Sequence, residues 1–230
     1  MFYLDPVYFV FLLPGLLLAG LASLLVKSTF GRYSQVRAYS GLTGAQAAER
    51  MMRSYGVLDV RVEATRGFLS DHYDPSQKVL RLSPDVYNSN SLAAIGVACH
   101  EAGHALQHAA HYVPLSIRSA LVPATNISSM LAFYVFAAGF MFRPLLYVGC
   151  ALFAVAFLFA LVTLPVEWDA SARAKRHMVT AGLVSPSQEA DAGRVLNAAF
   201  LTYLAGAISS LLTLLYFLYR AGVIGGRSRN

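Results

Sequence analysis

One short stretch of this 230-residue chain combines residue types that do chemistry with a spacing that lets them act together: His100-Glu101-Ala102-Gly103-His104. Along an α-helix, four residues advance about 6 Å and end only about 40° from where they began. Two imidazoles placed this way reach one metal ion, which is why His-Glu-x-x-His on a helix reads as a zinc pattern. Glu101, next to the first histidine, can contact a water held by the ion and take its proton as general base, while zinc polarises a scissile carbonyl. Gly103 costs a helix about 1 kcal/mol relative to Ala, so its presence predicts close approach of another backbone or of a ligand.

A catalytic zinc keeps three protein ligands and one open position. His108 and His111 share roughly the same helix face, but residues eight apart on a straight helix lie about 12 Å apart along the axis, too far for His108 to share an ion with His100. The longer pattern with Gly seven residues after the first histidine and His beyond it is unmet, because Gln107 and Ala110 stand there. His108 is left as a possible substrate contact.

The elements that must position these residues follow from the composition, which is 57% hydrophobic and only 13% charged. Soluble domains are about 45–50% apolar and about 25% charged, so disordered and nucleic-acid-binding classes are excluded despite a net charge of +6. The apolar residues gather in four runs, Val7 to Val26, Ser119 to Phe142, Leu145 to Val166 and Leu196 to Tyr219. Each is long enough to cross a bilayer as a helix, which takes about 20 residues. The expectation is a mainly α, polytopic membrane protein with four transmembrane helices and a small α+β zincin-like catalytic unit at the membrane surface. Its divisions are an N-terminal span (1–27), a polar catalytic segment (28–118), a transmembrane hairpin (119–166), a second polar segment (167–195), a last span (196–220) and a tail (221–230).

Met1 to Pro6 has no Lys or Arg and carries Asp5, so the first run reads as a retained span rather than a signal peptide. If all four runs cross, 14 of the 18 basic residues lie on the side of the two polar segments. The positive-inside rule then puts those segments in the cytoplasm of a multi-pass cell-membrane protein. Cys99 and Cys150 lie in different segments and form no disulfide framework. Thr125, Asn126, Ser128 and Ser129 in the second run are expected to face other helices.

The hairpin suggests where the third ligand comes from. Two crossings return the chain to the side on which it left His104, and Glu167 emerges there in Leu164-Pro165-Val166-Glu167-Trp168-Asp169-Ala170-Ser171. The pattern predicts that Glu167 opens a helix and delivers a carboxylate to the ion. Asp169, about 160° away on that helix, is expected to orient something other than the zinc ligands or to cap the helix.

Within the first polar segment, Thr43 to about Gly56 reads as a capped amphipathic helix. Val60 to Glu63 and Lys78 to Leu82 read as two short antiparallel strands around a turn-rich stretch, and Leu92 to about Tyr112 as the helix carrying the motif. Asp71, His72, Tyr73 and Asp74 form a polar knot in the turn. His72 or Tyr73, or else His177, could supply the donor that a developing oxyanion needs. Lys78 to Leu82 is expected to be an edge strand able to pair with an extended substrate. Gly225 onward reads as a disordered tail.

His100 to His108, Leu164 to Ser171, Thr43 to Ala48 and Asp71 to Pro75 together resemble the YugP-type neutral zinc metallopeptidases of bacterial membranes, over nearly the whole chain. These are distant relations of the HtpX and CAAX-prenyl endopeptidase group. The resemblance implies a gluzincin-like set with His100, His104 and Glu167 as zinc ligands and Glu101 as base. In the wider group an acid tends to stand four residues after the glutamate, whereas Ser171 stands there in this chain.

The expected activity is zinc-dependent hydrolysis of peptide bonds in membrane proteins or membrane-associated peptides, with the bilayer and a peptide substrate as partners and no nucleic acid. The alternative is a non-catalytic membrane scaffold that binds zinc structurally. A metal transporter is disfavoured, since no Asp, Glu or His lies within the four runs.

Overall fold

The computed structural model describes residues 6–67, 70–139 and 141–225. Seven helices and three strands follow one another among them: α1 (Pro6–Tyr33), α2 (Gly44–Ser54), β1 (Arg61–Ala64), β2 (His72–Asp74), β3 (Val79–Leu82), α3 (Pro84–Tyr87), α4 (Leu92–Ala109), α5 (Val113–Gly139), α6 (Pro144–Thr180) and α7 (Pro186–Ala221). Apart from Gly225, the tail expected to be disordered lies outside the described residues, as do Met1 to Asp5.

The chain divides into two compact units. One comprises Met1–Ala22, Ile117–Leu164 and Thr202–Asn230. Its core is aromatic and small: Leu146, Cys150, Tyr216 and Phe217 are buried, with Phe136 and Phe153 against the Phe217 ring at 4.0 and 4.1 Å. A methyl on Gly15 of α1 would lie 2.7 Å from the Ser209 hydroxyl of α7. Small residues admit this close packing where burial from water does not drive helices together. Of the polar residues of α5 expected to face other helices, Ser128 is buried and Thr125 half-buried, whereas Asn126 and Ser129 are exposed.

Three helices among the described residues are long and apolar enough to cross a membrane: α1, α6 and α7. The fourth expected span, Ser119 to Phe142, falls on α5 and the turn after it and includes residues outside the described ones.

The second unit comprises Ser23–Ser116 and Pro165–Leu201. α2 begins at a capping box, in which the Thr43 hydroxyl accepts from the Gln46 amide and the Gln46 side chain accepts from the Thr43 amide. It lays Ala47, Ala48, Met51 and Met52 into the core. α4 is buried over most of its length, as a helix at the centre of a small unit must be.

The sheet corrects two expectations. Its order is β1-β3-β2, with β1 parallel to β3 and β2 antiparallel to it. Val60 to Glu63 and Lys78 to Leu82 thus pair in parallel, because the stretch taken for turn alone contributes β2 between them. β3 is the central strand, with Val79, Leu80 and Leu82 fully buried, so Lys78 to Leu82 cannot be an edge open to substrate. Lys78 itself takes a left-handed φ of 51° to close the β2–β3 turn.

α6 brings a third correction. Glu167 does not open a helix but lies inside one continuous 37-residue helix that runs through Pro165. The proline removes one backbone donor without ending the helix.

Candidate metal centre

α4 and the Pro165–Thr180 part of α6 meet at Gly103. A methyl on Gly103 would come within 2.6 Å of the Ala170 carbonyl oxygen, so the glycine that weakens α4 locally is what admits the α6 backbone. This close approach places Glu167, one helical turn before Ser171, opposite the two motif histidines.

His100, His104 and Glu167 offer ligand atoms that all lie within 4.8 Å of one another. His100 Nε2 is 3.1 Å and His104 Nε2 3.6 Å from Glu167 Oε2, and the imidazole planes stand at 82°. Glu167 is 1% exposed, and its Oε2 makes both contacts to the imidazoles. Two imidazole nitrogens and one carboxylate oxygen are the donor set of a three-ligand zinc site, and the residues fit that ion.

The outer contacts fix which nitrogen of each ring faces the carboxylate. Gln107, fully buried, donates its amide to the Val166 carbonyl and to Asp169 Oδ2, each at 2.8 Å. With both amide protons committed, its Oε1 accepts, and His104 Nδ1 donates to it at 2.9 Å. His104 Nε2 is left as the ligand atom. Arg173 Nε donates to the same Asp169 oxygen at 2.6 Å, completing a chain from His104 through Gln107 and Asp169 to Arg173. His100 Nδ1 lies 3.1 Å from the Ser171 hydroxyl, leaving Nε2 toward Glu167. Such partners hold a ligand's tautomer and ring orientation and raise its basicity.

Burial disfavours a charged imidazole at His104, but the hydrogen bond to Glu167 and the charges of Glu167 and Glu101 overcome it and raise the pKa above its ordinary value. The carboxylates beside His104 thus favour a positive charge at this buried position, whether a proton or a metal ion supplies it. Cys99, adjacent to His100, takes no part: burial pushes its thiol up to about 12, and it stays protonated.

His100, His104 and Glu167 are brought together, and Glu101, next to His100 on α4, is 9% exposed. His108, one turn beyond His104, is hydrogen-bonded through Nδ1 to the Tyr73 hydroxyl at 2.8 Å, which ties β2 to α4. Burial, then the charges of Asp59 and Asp74, push the Tyr73 phenol up to about 12, so its proton is retained for that bond. His72 is exposed and bound to the Ser70 carbonyl at 2.8 Å. Asp71 accepts from the Ser83 amide and hydroxyl and so ties the start of β2 to the end of β3, whereas Asp74 accepts from Ser76 and Gln77 and holds the β2–β3 turn. His111 is exposed, with a left-handed φ of 51° at the end of α4.

His177 does not belong to the site. Ten residues past Glu167 on the same helix, it lies about 15 Å further along the axis, with its ring 3.8 Å from that of Tyr55.

Sequence reasoning missed Gln107 and the role of Ser171. A glutamine three residues after His104 on a helix destined for burial was the available signal, since a buried amide must find partners. Ser171, noted as a departure from the wider pattern, supplies a hydroxyl to His100 where an acid would otherwise stand. Gln107→Leu keeps the side chain's bulk and removes the amide. Its expected effect is a loss of zinc affinity of about tenfold to a hundredfold, read by titration against a competing chelator.

Comparison with known proteins adds three findings. Residues 8–222 match the model of a family described as "Putative neutral zinc metallopeptidase". The chain is 44% identical over 211 residues to a Bacillus subtilis protein named "Putative membrane protease YugP", covering 91% of this chain and 93% of that protein. No solved structure matches.

Proposed function

This chain belongs to the neutral zinc metallopeptidase family, and from that premise we propose that it is a membrane-bound endopeptidase that cleaves membrane proteins or membrane-associated peptides. The observation that carries the reading is the convergence of His100, His104 and Glu167 within 4.8 Å, with Glu101 adjacent to the first histidine on α4. His100, His104 and Glu167 would hold zinc, which supplies a Lewis acid for the scissile carbonyl and lowers the pKa of a coordinated water toward about 7.

The chain's own residues do the rest. Glu101 takes the proton of the attacking water and later delivers it to the departing amine. Gln107 holds His104 in the tautomer that presents Nε2, and Ser171 orients the His100 ring. The Tyr73–His108 pair, one turn past His104, offers a polar contact for substrate. β2 is an edge strand tied to α4 through that pair, and it replaces Lys78 to Leu82 as the strand to which an extended peptide would pair.

Topology supports a fourth crossing. His104 precedes α5 and Glu167 lies on α6, yet both stand at one site. If the apolar part of α6 crosses the bilayer, α5 must cross too, since an even number of passages is needed to return. The concentration of basic residues beside the site favours its cytoplasmic placement.

The test is cleavage of an unfolded protein by the purified full-length chain in detergent. Activity that a zinc chelator removes and added zinc restores supports the proposal; a metal-loaded, folded chain without cleavage of soluble or membrane-embedded peptides contradicts it and favours the scaffold.

A further inference from the structure

Away from the metal centre, the second unit contains a groove of about 870 Å³ where the ends of α1 and α7 pass beside α6. Its lining is graded. Leu25 on α1 and Leu201 on α7 belong to the apolar runs, whereas Arg32 and Arg194 lie outside them. Each arginine is seven residues from the leucine of its own helix, about 10 Å along the axis. α1 enters its polar end by running toward higher numbers and α7 by running toward lower ones. The two helices thus give the groove an apolar end and a cationic end.

The cationic end is assembled around Tyr33. Its hydroxyl accepts from Arg194 Nη1 at 2.8 Å and donates to Asp191 at 3.0 Å, and the Arg32 guanidinium lies over its ring at 5.6 Å from the centroid. Arg194 pairs with Asp191 at 3.1 Å, while Arg32 has no ion-pair partner among the described residues. Ser28 and Thr29 add hydroxyls to the same lining.

Trp168, 60% exposed, forms a wall with Phe200, their rings edge to face at 5.2 Å. A tryptophan at this position suits the interfacial level of a bilayer. An adjoining cavity of about 490 Å³ shares Trp168, Asn197 and Phe200 and adds Lys175, Arg176 and Glu189. Across the two, four basic side chains face Glu189 and the already paired Asp191.

We infer that this groove binds one anionic phospholipid, its phosphate at Arg32 and Arg194 and its acyl chains along Leu25 and Leu201. Charge complementarity selects the anionic headgroup, since basic pockets between membrane helices hold such headgroups. The apolar end selects a lipid over a free anion. The inference rests on the membrane placement proposed above and is independent of the peptidase chemistry.

The test reconstitutes the full-length, zinc-loaded protein in vesicles of phosphatidylcholine with phosphatidylglycerol, extracts it gently and counts retained lipids by native mass spectrometry. One phosphatidylglycerol per chain is expected, in preference to phosphatidylcholine. Each arginine removed should cost roughly fivefold in retention, so R32Q with R194Q lowers it about thirtyfold, while R50Q with R53Q on α2 leaves it unchanged. Zinc content reports whether the variants fold. T29E, which sets an acid three residues before Arg32 on α1 while leaving both arginines in place, should give a loss of the same sign.

Equal retention of the two lipids, or full retention by both R32Q/R194Q and T29E, overturns the inference. So does displacement of the lipid by inorganic phosphate, which would mark a simple anion site. A protein that fails to float with the vesicles refutes the membrane placement, and the lipid inference with it; one that floats without selectivity refutes the lipid inference alone.

Discussion

Glu101→Gln is expected to leave zinc bound and to lower kcat by about a hundredfold to ten-thousandfold, the range that a positioned general base contributes. That corresponds to roughly 3–5 kcal/mol of transition-state stabilisation. The amide keeps the shape of a side chain that is 9% exposed on a mostly buried helix, so the fold has no reason to change. It cannot accept the water's proton, so the loss belongs in kcat rather than in KM. Steady-state kinetics on the purified variant, normalised to zinc per chain, separates this outcome from metal loss. A variant with wild-type kcat would remove Glu101 from the chemistry.

Glu167→Gln has the second large effect, on metal rather than on turnover alone. The carboxylate is buried between two imidazoles, 3.1 and 3.6 Å from their Nε2 atoms. A neutral amide in its place keeps the volume and the α4–α6 packing but removes the charge that makes the cluster a cation site. Zinc affinity should fall by more than the tenfold to hundredfold that loss of an outer partner costs, and cleavage should vanish with the metal. Chelator competition measures the first and peptide hydrolysis the second. Full zinc occupancy in this variant at nanomolar free metal would exclude Glu167 as a ligand.

Much of the site was legible because its information is local or topological. The spacing of His100 and His104 follows from the helical period, and Gly103 announced the close approach that Ala170 makes. Glu167 was found by counting crossings, an argument that needs no distance. What escaped depends on contacts between elements. Asp169, expected from the helical angle to orient something other than the zinc ligands, instead reaches Gln107 and through it His104. No local pattern marks that relay, because Gln107 and Asp169 are 62 residues apart.

Pro165 misled in a different way. A proline after an apolar run reads as a helix boundary, but α6 absorbs it and carries Glu167 in its interior. The sheet was misread for want of β2: a three-residue strand, His72–Asp74, is too short to show alternation. Its pairing with β3 turned the expected edge strand into the central one.

The central claim is that zinc is held by two imidazoles of α4 and a carboxylate of α6. X-ray absorption at the zinc edge of the purified, zinc-loaded chain tests it most directly. The account predicts a first shell of nitrogen and oxygen only, with the outer-shell scattering of two imidazoles, and loss of that signature in Glu167→Gln. A sulfur in the first shell, which would implicate Cys99, or scattering from fewer than two imidazoles, would contradict it.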